Sequence, residues 1–98
     1  APARAHVTDR QTLVERLHDH LRATAERPVE RTANRWLGEA EAVAADAATG
    51  DLPDAALEKR IGQVRDLLSH VDSTGDPAAD DHVEAARDLA VRIEGRLS

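Results

Sequence analysis

Apolar residues return every three or four positions along almost the whole chain, in four stretches separated by Pro28, Pro53 and Pro77. That spacing puts side chains on one face of an α-helix, so it confines the chain to amphipathic helices packed against each other. The first stripe is Leu13, Val14, Leu17 and Leu21, and the second is Val29, Ala33, Trp36, Ala40, Val43 and Ala47. The third is Leu57, Ile61, Val64, Leu68 and Val71, and the fourth is Ala79, Val83, Ala86, Ala90, Ile93 and Leu97.

Proline is tolerated in the first turn of a helix, where its missing N–H costs no intrahelical bond. Each of the three can therefore mark a start, which predicts helices over about 9–26, 28–48, 53–72 and 77–97 behind a loose tail of residues 1–7. Thr8 and Gln11 have the spacing of a capping box, Gly50 closes the second helix as a left-handed cap, and Gly75 stops the third. Asp76 precedes Pro77 as an N-cap. Asp76, Asp80 and Asp81 sit at the electropositive start of the last helix, with Arg92 and Arg96 at its electronegative end. Pro28 is the ambiguous mark, because Leu21, Ala25, Val29 and Ala33 could carry one stripe through it. A break is favoured, since proline disfavours the helical conformation at Arg27 and removes a donor. Short connections make neighbouring helices antiparallel, so residues 8–98 are expected to form one all-α domain, an up-down-up-down four-helix bundle. A kink at Pro28 would give instead a three-helix bundle with a long first helix.

The core materials are 19 Ala, 10 Leu, 8 Val, 2 Ile and the single Trp36, with no Phe, Tyr, Met or Cys. Small knobs require close helix approach, with Trp36 expected as the one large knob of the core. Gly38, Gly62 and Gly95 lie inside helical patterns at a cost of about 1 kcal/mol each relative to Ala. Such glycines suggest close approach by another backbone, within the bundle or across a subunit interface.

Nineteen acidic residues face thirteen basic ones, for a net charge of −6, and Lys59 is the only lysine. Residues 1–36 carry a small basic excess and residues 37–98 the acidic remainder. Acidic surface, Ala and Val for bulky groups, and scarce Lys resemble cytoplasmic proteins of salt-accumulating archaea; a GC-rich genome is the competing source of the same bias. The segment Ala33-Asn34-Arg35-Trp36-Leu37-Gly38-Glu39-Ala40-Glu41-Ala42-Val43-Ala44, with the Gly-Asp-Leu-Pro turn at 50–53, resembles small all-helical proteins of haloarchaea that have no assigned activity. The resemblance implies a helical fold and carries no functional residue with it.

The chemistry-bearing residues are sparse. Without Cys there is no disulfide, thiolate nucleophile or thiolate-bound zinc. The apolar runs are too short to span a membrane, which leaves the cytoplasm as the expected location. Of His6, His18, His20, His70 and His82, the pair His18 and His20 diverges by roughly 200° around a helix, so no metal site is expected. A cross-helix pair of His18 with His82 would need the first and last helices to meet there. The carboxylates from Asp72 to Asp81 lack calcium-loop spacing and suit capping and solvation. Acidic pairs such as Glu39 with Glu41 and Glu84 with Asp88 have no aromatic-walled pocket to raise a pKa, so an enzyme is not expected and no cofactor is implied. Arg27, Arg31 and Arg35, four apart, could form a basic ridge for nucleic acid, although a chain of net charge −6 is not expected to take such a partner. The reading that follows is a non-enzymatic helical module that binds itself, as a possible homodimer, or another protein. Its candidate face holds Trp36, Leu37 and Gly38, with Leu89 and Val91 beside the last stripe. Binding of a small ligand or metal between helices is a further alternative.

Overall fold

Among the described residues, 10–49 and 52–97 of a computed structural model, the helical stripes become four α-helices and no strand. They are α1 (Arg10–Thr24), α2 (Arg31–Ala47), α3 (Asp54–Leu68) and α4 (Pro77–Leu97). The tail of residues 1–7, the Thr8 half of the proposed capping box and the Gly50 cap lie outside the described residues. Gln11 itself donates its side-chain N–H to the Ala48 carbonyl at 2.9 Å, where α2 ends.

The three prolines do three different things. Pro77 opens α4, and the Asp76 carboxylate in front of it accepts the Ala79 amide at 3.0 Å as an N-cap should. Pro53 is itself the N-cap residue of α3, extended at φ −65° and ψ 160°. Pro28 lies in the turn, so the second helix starts at Arg31 rather than at residue 28, capped by Glu30 accepting the Ala33 amide at 3.1 Å. Arg27 cannot continue α1 ahead of a proline. The amides of Ala25, Glu26 and Arg27 instead bond three residues back, which tightens and ends the helix. The chain therefore breaks at Pro28, and the three-helix alternative is excluded. The third helix likewise ends at Leu68, short of residue 72, in a turn where Ser69, His70 and Val71 amides bond back to Asp66, Leu67 and Leu68.

Cross-helix pairs establish the direction of each helix. Gln11 meets Ala48 and His18 meets Glu41; Trp36 meets His70 and Asp46 meets Arg60. Leu68 meets Arg87 and Arg65 meets Glu94; Arg27 meets Asp76 and His20 meets His82. In every pair one number rises as the other falls, so all four neighbours are antiparallel. Helix α1 packs on α2 and α4 and α3 packs on the same two; the diagonal pairs show no close backbone approach, although Arg10 at the start of α1 reaches Asp54 at the start of α3 in an ion pair. The result is the expected up-down-up-down bundle, 45 × 26 × 20 Å, whose 20 Å depth matches two helix diameters of about 10 Å.

The stripes of α1 and α3 are buried as expected, and Val71 stays buried past the end of α3. Helix α4 adds Leu89 to its seam and leaves Leu97 half-buried. Helix α2 differs. Its buried residues are Ala33, Leu37, Ala40, Ala44 and Ala47, whereas Trp36 and Val43 are only half-buried. The helix is rotated so that leucine and alanine fill the narrow interior, and the indole, too large for an alanine-lined seam and carrying an N–H, stays at the edge. The interior glycines are also not points of backbone contact within the bundle. A Cβ at Gly38 or Gly95 would meet nothing within 4 Å, and at Gly62 only the Glu94 carboxylate at 4.0 Å. Among the described residues, Gly75 is the one whose conformation needs glycine, at φ +83°.

One end of the bundle is tied by a polar knot. The Glu30 amide donates to the Thr74 carbonyl at 2.6 Å, joining the α1–α2 turn to the α3–α4 turn. The amide and hydroxyl of buried Thr74 both reach Asp80 Oδ1 at 2.8 Å, and the Asp76 amide donates to the Thr74 hydroxyl at 3.1 Å. Arg27 grips Asp76 through Nε at 2.9 Å and a second nitrogen at 3.3 Å. The carboxylates gathered between Asp72 and Asp81 thus act in part as helix and turn caps.

Candidate protein interaction surface

Where α2 and α3 pack, the half-buried side chains leave a groove open to solvent, about 700 Å³ in volume. Ala42 and Val43 from α2 with Gly62 and Leu67 from α3 make its apolar floor, and Glu39, Lys59 and Asp66 stand on its rim. The helices are antiparallel with Trp36 opposite His70 and Asp46 opposite Arg60, so Glu39 and Asp66 share one end of the groove. Lys59 stands toward the other, where Asp46 and Arg60 are already paired at 2.9 Å. At the first end Arg35 stands 3.8 Å from Glu39 and offsets one of the two carboxylates, so the groove keeps an acidic surplus at that end and a basic one at the other.

Trp36 lies at the acidic end. His70 stacks on its indole with ring centres 4.2 Å apart and planes within 15°, and the Arg35 guanidinium carbon is 5.5 Å from the ring. Both contacts hold the indole at the surface of the seam, where stacking and cation–π attraction replace core packing.

The other residues expected on an interaction face are scattered. Leu37 and Leu89 are 2% and 4% exposed, so both are spent on the core and present nothing to a partner. Gly38 is exposed on α2, and Val91, 55% exposed, lies across the molecule beside a shallow depression with Arg65, Ser69 and Arg87. The five residues do not form one surface. Nor do the three arginines form a ridge. Arg27 precedes α2 and turns to Asp76, while Arg35 lies 3.8 Å from Glu39 and only Arg31 and Arg35 share the helix. The break at Pro28 removes the four-residue alignment that the ridge required.

Sequence reasoning missed Leu67, which lines the groove together with Val43. The available signal was Leu67 beside Leu68, two adjacent leucines that a single helical stripe cannot both bury.

His18 and His20 face different helices, as their two-residue spacing requires, and the cross-helix partner of His82 is His20 and not His18. Their Nδ1 atoms are 2.9 Å apart across α1 and α4. His18 turns to α2, its Nε2 3.8 Å from a Glu41 oxygen and without a hydrogen bond. His6 lies outside the described residues. Burial is the main cause holding the His20 imidazole below its ordinary pKa of 6.5, with His82 and Arg16 acting the same way and Asp19 opposing. No cluster of three or more His, Cys, Asp or Glu suited to a metal occurs among the described residues.

The sequence matches the domain of unknown function DUF8152 over residues 13–97. The chain belongs to this family. The DUF8152 match runs from Leu13, the first buried residue of α1, to Leu97 at the end of α4, and so takes in all four helices, the groove and the histidine pair. No curated protein and no solved structure shows significant similarity to the chain. No helix among the described residues is long and apolar enough to cross a membrane.

Proposed function

We propose that this DUF8152 domain is a non-enzymatic interaction module of a salty cytoplasm, and that its α2–α3 groove receives an amphipathic helix of another protein. The observation that carries this reading is the apolar floor of Val43, Leu67 and Ala42 left open between two helices. A third helix laid over such a seam buries the floor and is a recurring mode of peptide recognition. Ala42 and Gly62 are small enough to admit the incoming backbone. The rim sets its direction: the positive end of the helix dipole favours Glu39 and Asp66, and the negative end favours Lys59. The partner helix then runs parallel to α2, with basic residues near its start. A second copy of the chain is a poorer occupant, because two chains of net charge −6 repel. The acidic, lysine-poor composition is the support for the salty setting.

A photo-activated crosslinker in place of Val43, introduced in cells that produce the chain, tests the proposal against a control at exposed Arg92 on α4. The expected result is one adduct at Val43, absent at Arg92, whose crosslinked peptide is a helix with basic residues near its start. An adduct with the chain's own sequence would make the module a homodimer instead. No adduct, or equal adducts at both positions, would remove the groove as the docking site.

A further inference from the structure

The α1–α4 seam holds a contact that the interaction reading does not use. His20 and His82 meet Nδ1 to Nδ1 at 2.9 Å with ring centres 5.2 Å apart, so the two nitrogens lie between the rings, close to the line joining their centres. This geometry suits one shared proton. A neutral pair satisfies it when one ring is protonated on Nδ1 and the other on Nε2, and a singly charged pair satisfies it with a stronger, charge-assisted bond. Two protons cannot be accommodated, because two N–H groups would then face each other at hydrogen-bond distance on two cations. Nitrogens aimed at each other also leave no vertex for a metal ion, and no third donor gathers with them among the described residues.

We propose that His20 and His82 form a proton-sharing latch that closes the α1–α4 seam near neutral pH and releases it when the second proton binds. The surroundings make release acid-driven. On α1 the flanking charges are Arg16, which adds to the repulsion, and Asp19, which opposes it. On α4 the residues one turn either side of His82 are Ala78, Ala79, Ala85 and Ala86, so no carboxylate on that helix's face compensates a second charge. Helix α2 packs on the other flank of α1 and presents Glu41 to His18, not to His20. The nearest fixed tie is Arg27 with Asp76 at the end of the same seam, which keeps the turn closed while the middle of the seam opens. The fall of the His20 pKa below 6.5 agrees in sign: the unfolded chain binds the proton first, so stability drops as pH falls from 6.5 through the lower folded value.

Nitrogen-15 NMR of histidine-labelled full-length chain reads the shared proton directly. At about pH 7.5, one of the two rings is expected in the Nδ1–H form and its partner in the Nε2–H form; two Nε2–H rings would overturn the latch. Thermal melts from about pH 7.5 to about pH 5 supply the second measurement. The wild type is expected to lose about 5 °C more in Tm than either His82→Asn or His20→Asn, since His18 and the other histidines contribute equally to all three. Equal losses in wild type and both variants would also overturn it.

Discussion

Trp36 and Leu37 are adjacent and have exchanged the roles that size alone would give them. The leucine fills a core built from alanine, while the indole rests at the groove's acidic end under His70. Truncation should therefore invert the usual order. Leu37→Ala leaves a cavity in a fully packed interior and should cost about 2–5 kcal/mol in urea unfolding. Trp36→Ala removes a stacked, half-exposed ring that lies beyond the groove's lining and should cost less than half as much. A larger loss for Trp36→Ala would return the indole to the core. The neighbouring contact between His18 and Glu41 shows why such details hide in a sequence. Periodicity places His18 at the boundary of α1, but the side chain it meets, and the 3.8 Å that separates them, depend on where α2 stands.

At the scale of elements, the stripes of α1 and α3 were legible because leucine, isoleucine and valine there stand against polar neighbours. The stripe of α2 was not. Ala33, Ala40 and Ala47 fit either rotation of the helix, and only the choice between Trp36 with Val43 and Leu37 with Ala44 distinguishes them. An alanine-rich helix gives periodicity too little contrast to make that choice; close packing against α1 and α3 makes it. Asp76 and Pro77 were legible as a helix start because the cap is local, whereas Arg27 as the other partner of Asp76 was hidden by a separation of 49 positions. That partnership gives the element a pH signature. The guanidinium of Arg27 first, and the Ala79 amide second, hold the Asp76 carboxyl below its ordinary 3.8. The deprotonated form is favoured by folding, so the contribution is complete above that value and lost as pH falls through the lower folded one. Asp76→Asn should lower Tm by roughly 5 °C near neutrality, and the difference should shrink as pH falls through the lowered folded pKa, where wild-type Asp76 loses its charge. A constant difference across that range would mean that the charge of Asp76, and so the ion pair, does not supply the stability.

For the whole molecule the question is whether salt stabilises or loosens the bundle. Several cross-helix ion pairs, Arg10 with Asp54, Asp46 with Arg60 and Arg65 with Glu94, lie at or near the surface and would be weakened by salt. Exposed pairs of this kind contribute only about 0–1 kcal/mol each, and their short range limits what screening removes. Repulsion among the surplus acids acts over longer distances. At about 0.01 M salt the screening length is about 30 Å, comparable to the 45 Å length of the bundle, and at about 1 M it is about 3 Å. Repulsion should thus lose more than attraction does, and Tm should rise by roughly 5–10 °C between those concentrations of KCl. Charge reversal separates this cause from any other action of the salt. Glu58 on α3 and Asp72 in the following turn are both exposed, and changing each to Lys would bring the net charge from −6 to −2. If self-repulsion is the cause, Glu58→Lys with Asp72→Lys should recover much of the salt's gain at low ionic strength and respond weakly to added KCl. An undiminished salt response in that variant, or a wild-type Tm that falls with salt, would place the surface ion pairs or ion exclusion above net charge in the energetics of this bundle.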